Sequence, residues 1–413
     1  MREREVNVGS SGIDDAARRG AIELLLDCAR VGADPEAAPR VRARALESPD
    51  WDRFMCVAAH HRMAPLACRS LLSLCPDALP QGVSAAMAAH LDANARWMLL
   101  LTAELRNLLR IFETAGLAAL PFKGPVLAAL AYDDPALRPC GDLDFLIDPR
   151  DALAAQALLA RHGYRPLLAP PCSPKAVAVS SAHHFAHERT QIVLDLHWRL
   201  LPHGSPAAGE FERFWSGRRK VALDQAPVAS LSAEDHLLVL CIHGAKHRWA
   251  RLGWIADVAG LLGRRPAMNW DALFDRARAV RCRRMLALGL SLASSLLDAP
   301  APADWLLEQK RSDPRLAVLQ EEARCGLLWD PDVRLSPTER VAFFLRTMDG
   351  TAERLRYRVH QLFDPTLMDW GLVALPDALF PLYRVIRPLR LGWEGARRLL
   401  RRAGGNEAPS AKH

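Results

Sequence analysis

From Asp14 to about Gly116, apolar residues recur at three- and four-residue spacing, the period of helices that bury one face. Stretches 21–31, 51–61, 64–74 and 95–113 carry it, and Pro65, Pro76 and Pro80 stand where helices should begin or stop. The last run closes on Ala115-Gly116, a glycine C-cap signal. The pattern then changes. Residues 117–122 form a short apolar segment bounded by glycine, as a strand would. Lys123-Gly124-Pro125 follows, and 126–132 reads as a helix with Pro125 at its first position. Residues 143–147 read as a second strand and 152–162 as an amphipathic helix closed by Gly163. Residues 164–168 read as a further strand, 170–174 as a loop, and 182–188 with 191–198 as a hairpin about Arg189-Thr190.

At Ser232 the helical period returns. Ser232-Ala-Glu-Asp235 has the form of a capping box and starts a helix reaching Arg248. More helices follow near 252–262, 270–280 and 283–297, and on to the end. The expected fold class is α+β: a small mixed-sheet core at 117–230, between an N-terminal helical region at 13–116 and a C-terminal helical domain at 231–402. Disorder is expected in residues 1–11 and in the 403–413 tail, where small and polar residues gather.

Composition narrows the partners. Half of the 413 residues are hydrophobic and 24% are charged, which suits a globular protein with ample core. The net charge of +7 is local. Seven arginines between Arg384 and Arg402 face Glu394 alone, contributing +6 and leaving +1 for the rest. Nucleic acid is therefore not indicated as a partner of the body, whereas the basic C-terminal helix could meet an acidic partner or a membrane surface. The nine cysteines show no Cys-x-x-Cys pair, and the polar N-terminus has no apolar signal core. No apolar run is long enough to span a bilayer, so the expectation is a cytoplasmic protein with reduced thiols.

Candidate chemistry centres on Gly141-Asp142-Leu143-Asp144, followed at once by Phe145-Leu146-Ile147. In a strand, residues two apart point to one side, so Asp142 and Asp144 project together. Like charges so placed raise each other's pKa unless a cation joins them, and a hard cation such as Mg²⁺ takes oxygen ligands. A third acid, Asp195, lies in the apolar run Ile192-Val-Leu-Asp-Leu-His-Trp198, on one face with Val193 and His197. Three acids suit two-ion phosphoryl chemistry. Lys123-Gly124 falls at a strand-to-helix junction, where free N–H groups and the helix dipole favour a phosphate. His243, Lys246 and His247 share one helix face. By spacing, His243/His247 and His183/His187 could also be zinc pairs, but neither has a third obvious ligand.

Phe-Lys-Gly at 122–124, Tyr132, Arg138, Gly-Asp-Leu-Asp at 141–144 and Leu-Asp-Leu-His-Trp at 194–198 resemble the DNA polymerase β-like nucleotidyltransferase superfamily. More closely they are similar to a bacterial uncharacterised nucleotidyltransferase family, relatives of the aminoglycoside nucleotidyltransferases. The resemblance takes in Asp50-Trp51, His60-His61-Arg62, His243-Gly-Ala-Lys246-His247 and Trp254-Ile-Ala-Asp257, so it covers roughly residues 50–265. It implies a nucleotidyltransferase core with Asp142, Asp144 and Asp195 as catalytic metal ligands for two Mg²⁺ ions. Lys123, Gly124, Arg138 and Lys246 would contact the nucleotide, with His197, His243 and His247 as possible substrate contacts. The implied reaction transfers a nucleoside monophosphate, AMP from ATP for preference, to an acceptor hydroxyl on a small molecule, peptide or protein. The superfamily commonly has Gly-Ser where this chain has Gly124-Pro125, so that serine hydroxyl is absent. The alternative is an inactive nucleotide-binding or partner-binding module on the same fold.

Overall fold

Proline and polar caps set many of the helix boundaries. The computed structural model describes residues 8–31, 34–47, 49–168, 173–206, 209–224, 226–264, 267–327, 336–373 and 375–403. Asp50 caps the helix Trp51–His60 by accepting from the Arg53 N–H, and Pro65 lies in the first turn of Ala64–Leu74. Pro80 precedes the long helix Gln81–Thr114, which starts well before the apolar period of 95–113 suggested. The first helix, Val8–Arg30, also begins earlier than expected, so residues 8–11 are helical. The expected tail beyond residue 403, and residues 1–7, lie outside the described residues, as does most of the 170–174 loop.

Five strands form the central sheet: β1 (Ala119–Pro121), β2 (Asp142–Ile147), β3 (Tyr164–Pro166), β4 (Ala182–His187) and β5 (Val193–His197). Their order is β1-β2-β5-β4-β3. All pairs are antiparallel except β2 with β5, which run parallel and set Asp144 opposite Asp195. A separate antiparallel pair, β6 (Arg219–Val221) and β7 (Val228–Ser230), was not anticipated. Neither were the helices Ala37–Leu46, Pro174–Val179 and Glu210–Gly217.

The β2 core is covered on both faces. Leu143, Phe145 and Ile147 join the main apolar cluster, while Leu146 packs with Leu120, Phe122, Phe211 and Phe214 in a smaller one. β5 instead alternates: Leu194 and Leu196 are fully buried, whereas Val193, Asp195 and His197 are only partly so. That alternation is what a one-sided apolar pattern demands. The main cluster runs continuously from Ala21 to Tyr357, so helices on both sides of the sheet share one core.

After the sheet, Ser232 caps the helix Ala233–Lys246 by accepting from the Asp235 N–H. The cap is one-sided, because the Asp235 carboxylate takes the Ser232 hydroxyl and Arg276. The helices Leu252–Arg264 and Arg283–Leu297 pack on it. No helix among the described residues is long and apolar enough to cross a membrane.

Candidate active site

Two adjacent strands bring the acids together. Asp144 is buried and Asp195 partly buried, and because β2 and β5 are parallel and in register their side chains emerge from the same face. His197, two residues beyond Asp195, reaches back to Asp144: its Nε2 lies 3.1 Å from Oδ1. Ligand atoms of Asp144, Asp195 and His197 all lie within 4.8 Å of one another, the one such group of three among the described residues. Asp142 is not in this group, although it starts the same strand and feels the same charges.

Each acid's proton affinity reflects that crowding. Burial pushes the Asp142 carboxyl up, and the charges of Asp144 and Asp195 push it further, against Lys123 and Arg62. Burial would raise Asp144 too, but Lys123 and then His197 override it and hold the carboxyl well below the usual range. Lys123 Nζ sits 3.3 Å from Asp144 Oδ1. Asp195 has its own partner, since His184 Nδ1 lies 2.7 Å from its Oδ1. That hydrogen bond raises the His184 pKa. A cationic or proton-donating side chain thus stands against each of the two facing acids.

The donor set fits a hard divalent cation: carboxylates crowded on one face, one of them raised by its neighbours, with an imidazole alongside. His184 stands where an outer partner that orients the Asp195 carboxylate would stand. It was missed in the sequence, where His183 and His187 drew attention instead. His183 is buried edge-on to Trp198 at 4.8 Å, and His187 packs on Tyr164.

Lys123 precedes the helix Gly124–Ala131, whose first residue takes φ +54. A Cβ at Gly124 would lie 3.3 Å from the Asp142 carbonyl oxygen, so glycine serves the close packing of the helix start on β2. Lys246, His243 and His247 border the same region. Protein surrounds the Lys246 ammonium even though water reaches it through the cavity, and this burial, followed by the charge of Lys123, lowers its pKa. Two nearby ammonium groups facing acids form a setting for a polyanion. Burial drives His243 well below the usual histidine range and His247 down to about 3, so both are neutral. Their rings pack on Trp254, with centroids 5.3 and 5.2 Å away.

Arg138 lies elsewhere. Its Nε and Nη2 bond Asp257 Oδ1 and Oδ2 at 2.8 and 3.0 Å, and Tyr132 donates to the same carboxylate at 2.9 Å. This bidentate, largely buried pair takes Nε and Nη2, and Nη1 donates to Cys140 Sγ at 2.9 Å and to the Gly124 carbonyl at 3.5 Å, so the guanidinium is engaged by protein on every nitrogen. His61 plays a similar fastening part, accepting from the Leu252 N–H through Nδ1 and from the Gly253 N–H through its carbonyl. The recognisable residues therefore divide between an acid cluster and clamps that seat the helix Leu252–Arg264.

Beside the acids opens a cavity of about 580 Å³, lined by Lys123, His184, His197 and Lys246. Its far wall comes from Phe344, Tyr357, His360, Gln361 and Met368. Ser181 Oγ hydrogen-bonds His203 Nε2 at 2.7 Å on this lining, and the His203 ring stacks on His360 at 3.5 Å. Burial and then His360 push His203 down to about 3.

A family model described as uncharacterised nucleotidyltransferase matches residues 47–298, more than half of the chain. The chain belongs to this family. The matched segment holds the sheet, all three acids, both lysines and the Arg138–Asp257 clamp, and ends before the far wall of the cavity. The family supports nucleotidyl transfer as the general activity. A comparison with curated proteins finds no match.

Proposed function

We propose that this family member is a metal-dependent transferase that moves AMP from ATP to an acceptor hydroxyl held in the cavity. The observation that carries the reading is the facing of Asp144 and Asp195 across a parallel strand pair, with Asp142 raised by both. Asp142, Asp144 and Asp195 would hold two Mg²⁺ ions, with His197 at their edge. Bound there, such ions neutralise phosphate charge and polarise the phosphoryl oxygens.

The chain's own groups do the rest. Lys123 and Lys246 neutralise the triphosphate, and the N–H groups at the start of Gly124–Ala131 offer hydrogen bonds to it. With Pro125 in place of serine, those backbone donors and Lys123 take the part a hydroxyl would have. The acceptor oxygen attacks the α-phosphorus, the bond to the bridging oxygen breaks, and pyrophosphate leaves. Asp195 takes the hydroxyl proton, while His184 holds its carboxylate in place. Tyr357, Phe344 and Met368 give the cavity an apolar side, and Ser181, His203 and Gln361 a polar one. That lining suits a hydroxyl-bearing molecule with an apolar portion.

The test uses the full chain, Mg²⁺ and NTPs labelled at the α-phosphate, with sugars, peptides, lipids and the protein itself as acceptors. Label should pass from ATP to one acceptor class and be lost in Asp144→Asn. Nucleotide binding without transfer to any acceptor would establish the inactive-module reading instead.

A further inference from the structure

The C-terminal helix Tyr383–Ala403 is built inside out. Arg387 is only 6% exposed: it donates to Asp369 Oδ2 at 3.0 Å and to the Gln361 carbonyl. Arg390 Nε reaches Asp369 Oδ1 at 2.6 Å, and Asp369 itself is fully buried. The outward face is apolar. Val385, Leu389 and Trp393, spaced four apart, are 57%, 69% and 67% exposed. Arg384 stays exposed, but a helix that turns Arg387 and Arg390 inward and its tryptophan outward exposes an apolar stripe that water disfavours.

The neighbouring elements carry further exposed apolar residues. Leu355, Val359 and Leu362 are exposed on the helix Thr351–Phe363, which packs on the arginine helix. Leu379 and Leu382 are exposed on the turn leading into it. Of twenty large apolar residues that are exposed among the described residues, twelve fall between Leu355 and Trp393. Beyond Trp393 the sequence adds Arg397, Arg398, Arg401 and Arg402, with no acid after Glu394 until Glu407.

We propose that this face docks on an anionic lipid bilayer. An exposed apolar stripe ending in tryptophan and followed by arginines matches an interfacial helix: the apolar face enters the acyl boundary and the guanidinium groups meet phosphate. Charge selects this occupant over a second copy of the chain, because the arginine runs 397–398 and 401–402 of two copies, with no acid among them, would repel. The helix lies on the surface rather than crossing it: its 21 residues are long enough to span, but they hold no sufficiently apolar, uncharged run. Met368 belongs both to the exposed apolar set and to the cavity lining, so docking would bring the cavity rim to the bilayer.

Co-sedimentation of the full chain with vesicles tests the proposal. Binding is expected to equimolar phosphatidylglycerol–phosphatidylcholine vesicles and to be absent with phosphatidylcholine alone. It should weaken about tenfold or more when Val385, Leu389 and Trp393 are replaced by serine, with helicity by circular dichroism unchanged. Replacing the four distal arginines with glutamine should remove the preference for anionic lipid while leaving the apolar face intact, which keeps the test independent of the first variant's folding. Equal sedimentation of the serine variant, or no sedimentation of the native chain with anionic vesicles, would overturn the proposal. So would a native dimer that the serine variant dissolves without any lipid binding.

Discussion

Arg138 and Asp257 meet through a two-pronged ion pair although 119 residues separate them in the chain. The pair fastens the segment before β2 to the helix Leu252–Arg264, and Tyr132 completes it from a third element. Its two side chains are 13% and 4% exposed, so neither charge can recover its hydration if the other is lost. Asp257→Ala is expected to cost roughly 3–5 kcal/mol in chemical denaturation. Arg138→Lys should restore little, since an ammonium cannot make the paired bonds.

His184 separates orientation from ligation. If it acts by steadying Asp195, His184→Ala should lower activity or metal affinity about 10–100-fold. The loss should show in a Mg²⁺ titration of transfer as a raised half-saturating concentration. Asp144→Asn should lose more than that at any Mg²⁺ level. Equal effects of the two variants would deny the division of roles.

Gly260 tests the packing that supports the lysine-bearing helix start. A Cβ there would run into the Ala131 carbonyl, where the helix Leu252–Arg264 crosses Gly124–Ala131. Gly260→Ala should destabilise by about 1–3 kcal/mol, because backbone cannot yield as a side chain can. Thermal melts would show it, and nucleotide affinity should fall with it if Lys123 is displaced.

Acid should release the C-terminal helix. Burial opposes the charge on Asp369, but Arg390, Thr366 and Arg387 together lower its pKa to about 2. A carboxyl depressed in the folded state contributes stability above its unfolded value of 3.8 and loses it as pH falls through about 2. Amide exchange across residues 383–397 should therefore accelerate between about pH 4 and pH 2. In Asp369→Asn the helix should already exchange faster at neutral pH, with little further change over that interval.

Much of the site was legible because strands index residues by simple parity. The hairpin expected about Arg189-Thr190 already implied that residue 184 faces 195 and residue 182 faces 197, and the observed register is the same. His184 could have been found by that count. The parallel pairing of β2 with β5 could not, because nothing local in either strand states which distant strand lies beside it. The apolar alternation in β5 announced its buried face, whereas β2 is buried on both sides and its sequence reads as a continuous run. Arg138 and the far wall of the cavity were illegible for a common reason. A charged residue's partner, or a pocket's lining, is set by elements more than a hundred residues away. The helices Pro174–Val179 and Glu210–Gly217 and the β6–β7 pair were missed because they are too short to establish a period, and Ala37–Leu46 because its buried face is mostly alanine, Ala37 and Ala45 with Val41.

The in-register pairing of β2 and β5 also acts as a ruler. Neighbouring strands sit about 4.8 Å apart, a spacing set by the backbone ladder and by no side chain. The gap between Asp144 and Asp195 is thus inherited from the most rigid length in the protein, and repacking the surroundings would barely tune it. Inserting one residue into β5 would do what no point substitution can. It would turn Asp195 to the far side of the sheet and present a leucine in its place.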